Sequence, residues 1–148
     1  MSKLVELVKR AKASGDYQIL IDAIPYARWL GISAEVKDGE LLGKLRFSDP
    51  LIGNPGIPAL HGGTIGALLE STAIFRLFWE AEAVVIPKTI NLTVAYLRSG
   101  RPLDTWAQAY MTKHGRRVAS VRVEAWQEDR ARPIASGTVN LLIVPFKG

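Results

Sequence analysis

Leu60-His61-Gly62-Gly63-Thr64-Ile65-Gly66-Ala67-Leu68-Leu69-Glu70-Ser71-Thr72-Ala73-Ile74-Phe75 is the stretch on which the reading of this chain turns. From Gly62 to Phe75 it holds one ionisable side chain, Glu70. The apolar run predicts a long buried helix over about 61–81. A polar group taken into apolar surroundings without a partner costs roughly 2–7 kcal/mol. Glu70 therefore calls for a chemical explanation.

At 100° per residue the helix divides into two faces. Ile65, Leu68, Leu69, Thr72, Phe75 and Trp79 form a bulky side suited to packing on a sheet. Gly63, Gly66, Ala67, Glu70 and Ile74 form a small side that admits the close approach of another backbone. At the helix start, Gly62 and Gly63 leave backbone N–H groups unobstructed at the positive end of the dipole, which suits a developing oxyanion. Gly62 and Glu70 lie eight residues apart, about 12 Å along one helix. Two groups acting on one carbonyl must each come within roughly 3 Å of it, so these two cannot do so from one chain. Antiparallel packing of two copies through the small side would set Gly62 of one beside Glu70 of the other. The expectation is a homodimer with two composite sites.

Composition narrows the choices. With 148 residues the chain is read as one domain, 1–148, opening on a short helical segment over 1–23. No apolar run reaches the ~20 residues of a membrane helix. The opening Met1-Ser2-Lys3-Leu4-Val5-Glu6-Leu7 has charges within its apolar pattern and lacks a signal-peptide core. Cytoplasmic localisation and no membrane partner are expected. The absence of cysteine excludes disulfides and a thiol nucleophile, and two histidines, His61 and His114, argue against a metal site. The net charge of +5 is spread among strands and turns, without zinc-finger spacing or an RNA-binding aromatic signature. Nucleic acid is not an expected partner; a solvated surface or a polyphosphate-bearing small molecule is.

Around the helix, Leu4, Val5, Leu7, Val8 and Ala11 predict an amphipathic helix ending near Ser14-Gly15, followed by short helical segments over 17–23 and 25–30. Ile32–Lys37 and Leu41–Phe47 read as a hairpin turning at Asp38-Gly39. A Pro- and Gly-rich loop, 48–60, delivers the chain to the long helix. Strands are expected near 84–97, 105–112, 117–127 and 134–144, with clear alternation of Ala119, Val121, Val123 and Ala125 against Ser120, Arg122, Glu124 and Trp126. Turn-like links at 99–102, 114–116 and 128–133 predict antiparallel hairpins. The class is α+β, an antiparallel sheet wrapped around a long central helix.

Pro58-Ala59-Leu60-His61-Gly62-Gly63 with Glu70, together with Pro87-Lys88-Thr89-Ile90-Asn91-Leu92-Thr93-Val94-Ala95-Tyr96-Leu97-Arg98, resembles the helix and following strand of hotdog-fold acyl-CoA thioesterases of the PaaI type. The likeness runs from about Ile24 to Val144. It implies a hotdog fold, hydrolysis of an acyl-CoA to a carboxylic acid and free thiol, and assembly as a homodimer that pairs into a homotetramer. Coenzyme A would enter as part of the substrate, with no separate cofactor. Glu70 would act as general base or as nucleophile and Gly62 as oxyanion donor, aided by His61 or Asn54. Asn54 stands seven positions before His61 where the family has six, and Pro55 fills the expected place; the loop must bulge, or the contact is absent. Thr89 resembles the hydroxyl residue that holds water at the start of the next strand. Arg98, Lys113, Arg116 and Arg117 are the basic residues placed to grip nucleotide phosphates. Two other readings share the pocket: a non-catalytic acyl-CoA sensor and an acyl-thioester dehydratase or hydratase, whose catalytic His belongs to a different motif.

Overall fold

In the computed structural model, which describes residues 3–145, four helices and eight strands follow one another as α1 (Lys3–Ser14), α2 (Gln18–Asp22), α3 (Pro25–Leu30), β1 (Ile32–Lys37), β2 (Glu40–Leu45), β3 (Ile52–Asn54), β4 (Ala59–Leu60), α4 (Gly62–Glu80), β5 (Val85–Tyr96), β6 (Thr105–His114), β7 (Val118–Trp126) and β8 (Ala135–Pro145). Met1 and Ser2, part of the expected N-terminal segment, lie outside the described residues, as does 146–148 of the expected domain. Among the described residues no helix is long and apolar enough to cross a membrane.

Six strands form one antiparallel sheet in the order β1-β2-β6-β7-β8-β5, and α4 packs on one face of it. Alternation along β7 decides which face: Ala119, Val121, Val123 and Ala125 are fully buried toward the core, where Ile65, Leu68, Leu69 and Phe75 of α4 are also buried. Each such large apolar side chain contributes roughly 1.5–3 kcal/mol on burial. At the crossing with β2 the fit depends on Gly43, where an added Cβ would stand 2.1 Å from the Thr72 hydroxyl. That hydroxyl is fully inside and donates to the Leu68 carbonyl at 2.7 Å.

Local chemistry sets the boundaries. The β1–β2 turn places Asp38 and Gly39 at φ 52° and 76°, the left-handed pair that a two-residue hairpin requires. α1 lays Val5, Val8 and Ala11 on the core, and its Lys12 ammonium donates to the Phe78 carbonyl at 2.7 Å and to the Ala81 carbonyl. A cation there satisfies the orphan carbonyls at the C-terminus of α4. Burial of Lys12 among these groups lowers its pKa.

Two expectations are corrected. The 48–60 loop contains a 3₁₀ turn, Asp49–Leu51, and a small β3–β4 hairpin. The link at Ser99–Pro102 does not close a hairpin: β5 pairs with β8 along its length, and β6 lies between β2 and β7. Turn residues specify that a chain reverses, while long-range burial decides which strand it reaches. The result leaves β5 as a twelve-residue strand at the sheet edge.

Candidate active site

Where β4 runs into α4, the backbone bonds of His61, Gly62 and Gly63 can be followed one by one. His61 N–H donates to the Leu51 carbonyl at 2.8 Å. The His61 carbonyl accepts both the Thr64 N–H at 2.9 Å and the Thr64 hydroxyl at 2.7 Å. Gly63 N–H donates to His61 Nδ1 at 2.9 Å, so His61 is the N-cap, with its other nitrogen carrying the proton when the ring is neutral. Gly62 N–H finds no acceptor among the described residues. It is the free donor at the positive end of a nineteen-residue helix.

The open face of α4 differs in one residue from the helical projection. Gly63 is exposed and Ala67, Glu70 and Ile74 are half-buried, but Gly66 is buried. A Cβ on Gly66 would lie 3.7 Å from Leu92 Cδ2 and 3.8 Å from the Tyr96 hydroxyl, so Gly66 packs against β5 of its own chain. Positions 63, 67, 70 and 74 form the accessible stripe. Glu70 sits in it without a hydrogen bond or ion pair to any described residue, and it is not enclosed. Within one chain its carboxylate keeps contact with water. The full desolvation inferred from the sequence would require something to cover this face.

A cavity of about 460 Å³ opens beside Gly62, lined by Ala59, Leu60, Ile65, Tyr96, Leu97, Arg98, Ser99 and Gly100. Through Arg98 and Ser99 it adjoins a second, of about 310 Å³, whose wall includes Arg101, Glu128 and Arg132. Arg101 is paired with Glu128 at 2.6 Å; the Arg98 and Arg132 side chains have no ion-pair partner among the described residues. Arg132 was not singled out from sequence because it sits in a charged turn, Glu128–Pro133, that reads as solvated surface. Tyr96, read only as part of a strand, donates its hydroxyl to the Gly62 carbonyl at 2.8 Å.

The remaining expected site residues separate. The β3–β4 pairing is irregular between Ile52 and Asn54, with Gly53 as the additional residue of a bulge. It brings Gly53 against His61, where a Cβ would stand 2.7 Å from the His61 Cα. Asn54 itself is exposed, and its side-chain oxygen accepts the Gly56 N–H at 3.0 Å within its own loop. Thr89 is exposed on β5, seven residues from Tyr96 and about 23 Å along the strand. That places it toward Glu70 along the helix and away from Gly62. Lys113, Arg116 and Arg117 are exposed at the β6–β7 turn, near the start of β5 and the end of β8. Arg98 lies beside the β7–β8 turn, where its N–H donates to the Ile134 carbonyl at 3.1 Å. The two basic groups thus occupy opposite ends of the sheet, separated by the length of β7, about 30 Å.

Comparison with known proteins agrees with this fold. The family model described as Thioesterase superfamily matches residues 58–134, from the loop before α4 to the turn before β8. The medium/long-chain acyl-CoA thioesterase YigI of Salmonella typhimurium is 27% identical over 97% of this chain and 99% of its own. A crystal structure of a protein from Chromobacterium violaceum is 38% identical, covers 99% of this chain and 100% of its own, and superposes with a TM-score of 0.73. A Bacillus halodurans protein crystallised with CoA has the same fold at 18% identity and a TM-score of 0.73, covering 99% of this chain and 97% of its own.

Proposed function

Because this chain belongs to the thioesterase superfamily, we propose that it hydrolyses acyl-CoA thioesters to a carboxylic acid and free CoA, in sites that each combine Gly62 of one protomer with Glu70 of its partner. The observation that carries the reading is that one helix holds two unused groups, a donor at its start and a carboxylate on its accessible stripe. Gly62 N–H has no acceptor and Glu70 has no partner among the described residues, and helix rise separates them by about 12 Å. The accessible stripe 63-67-70-74 and the long β5 edge are the surfaces a second copy would cover, since an exposed strand edge offers unpaired backbone groups. The full-length likeness to YigI supports an acyl-CoA substrate, and the CoA-bound fold neighbour supports room for the nucleotide.

In the proposed reaction Gly62 N–H polarises the thioester carbonyl and stabilises the oxyanion. Glu70 of the partner either takes a proton from the attacking water, or adds to the carbonyl and expels the CoA thiolate as the C–S bond breaks, giving a mixed anhydride that water opens to the carboxylic acid and free Glu70. Covering the face with a second copy excludes water around Glu70 and strengthens both interactions. Antiparallel packing brings the partner's Lys113, Arg116 and Arg117 toward the Gly62 end, where Arg98 and Arg132 already line the cavities. Nucleotide phosphates are thereby held between two basic groups that one chain keeps apart.

The test is turnover on a panel of aliphatic and aromatic acyl-CoAs by the wild-type protein and Glu70→Ala. Release of free thiol by the wild type and its loss in the variant are expected. Binding without turnover by the wild type would identify a sensor instead.

A further inference from the structure

Gly62 would supply its donor from the residue type with the widest backbone freedom, so something else must hold it still. The peptide before it is fixed by the two Thr64 bonds to the His61 carbonyl. The peptide after it, Gly62–Gly63, is held at its N–H end by His61 Nδ1 and at its carbonyl end by the Tyr96 hydroxyl at 2.8 Å. Tyr96 comes from β5, 34 residues away, and is the tertiary contact among these holds.

We propose that Tyr96 is a positioning residue: its hydroxyl clamps the Gly62–Gly63 peptide and so, together with the Thr64 bonds that fix the peptide carrying the Gly62 N–H, keeps that N–H directed at the adjoining cavity. The inference rests on the thioesterase reading for its kinetic consequence, though not for the clamp itself. The ring is placed for the task. A Cβ on Gly62 would lie 3.1 Å from Tyr96 Cζ and from its hydroxyl, so the glycine and the tyrosine fit as a pair. Tyr96 is 55% exposed, far more than a core residue, and it walls the cavity beside Gly62. With both neighbouring peptides fixed, Gly62 retains little freedom, and its N–H needs no reorganisation when charge develops on the carbonyl oxygen. Tyr96 does not itself need to touch substrate.

Tyr96→Phe keeps the ring and removes the clamp. Two readouts are taken on it: steady-state kinetics with the best acyl-CoA, and amide hydrogen exchange of Gly63 relative to Val121 in the middle of β7. The clamp predicts a fall in kcat of about 2- to 10-fold with KM unchanged. It also predicts faster Gly63 exchange by a similar factor while Val121 is unaffected. Wild-type exchange at Gly63 overturns the inference whatever the kinetics show; with a reduced kcat, the hydroxyl would be acting on the substrate rather than on the peptide. Unchanged kcat with faster exchange overturns the aiming role. If the wild-type protein turns over no acyl-CoA, the thioesterase reading fails by itself, and the exchange measurement alone decides for or against the clamp.

Discussion

The two faces of α4 are made from the same helix and opposite physics. On one, Ile65, Leu68 and Leu69 are buried and Thr72 satisfies its hydroxyl within the helix. On the other, Gly63, Ala67, Glu70 and Ile74 remain accessible, and the carboxylate among them is unpaired within the described chain. Every polar group on the first face is spoken for, whereas the second holds the groups available for chemistry. The difference teaches where to look for a site: along the face where satisfaction is left incomplete, since the buried side-chain polar atoms among the described residues are all partnered.

Breaking the open face should cost activity and not fold. Glu70→Ala is expected to lower kcat by about 10²- to 10⁴-fold, the usual contribution of a general acid–base group. Its melting temperature and its binding of acyl-CoA should stay near those of the wild type. Glu70→Gln should bind at least as well, because it removes a charge that the partner would desolvate. Turnover at the wild-type rate by either variant would remove Glu70 from the mechanism.

The opposite face should show the reverse pattern. Leu68→Ala, at a fully buried position, is expected to destabilise by about 2–5 kcal/mol in chemical denaturation. Ala67→Arg, one residue away on the accessible stripe, should leave the folded chain intact and abolish self-association in sedimentation. Equal effects of the two on stability would mean that the stripe is part of the core.

A smaller effect separates the basic groups. Replacing Arg116 and Arg117 by Ala should raise KM for acyl-CoA several-fold and flatten its salt dependence, with little change on an acyl-pantetheine that lacks the nucleotide. Equal loss on both substrates would exclude phosphate contact.

The smallest effect concerns acid. Asp104 has its pKa lowered, chiefly by the Phe47 N–H that donates to it at 2.8 Å and then by Lys44, which it meets at 3.4 Å. A depressed folded pKa stabilises at pH above the unfolded value and loses that stabilisation as pH falls through the folded one. Asp104→Asn should therefore narrow the stability difference between neutral pH and about pH 3. An unaltered pH profile would show that these bonds do not govern acid sensitivity.

Much of this comparison is legible in the sequence, for identifiable reasons. The bulky face of α4, the Asp38-Gly39 turn and the alternation of β7 are local patterns, and the structure places them as read. The likeness of the His61-Gly62-Gly63 and Glu70 motif to a thioesterase family agrees with the matched family model. Three features were not legible because they depend on distant residues. The β5–β8 pairing is set by burial across the sheet rather than by the Ser99–Pro102 turn. Gly66 is claimed by Leu92 and Tyr96 from β5 and so leaves the open stripe. Tyr96 reaches Gly62 across 34 residues, which no spacing rule reveals.

The central claim is that each site borrows from two chains, and complementation tests it most directly. Gly62→Pro removes the donor N–H at the first helical position, where the backbone accepts proline; its Cβ would stand 3.1 Å from Tyr96, so the folding of this variant is checked by circular dichroism before mixing. Gly62 is not among the residues of positive φ, and His61 before it is extended at φ −63° and ψ 128°, as a residue preceding proline prefers. Gly62→Pro alone and Glu70→Ala alone should both be inactive. When equal amounts exchange subunits at random, about half the dimers are hybrids, each with one intact site, so activity should return to as much as about a quarter of the wild-type level. Hybrids demonstrated by mass spectrometry, with no activity regained, would contradict the composite site.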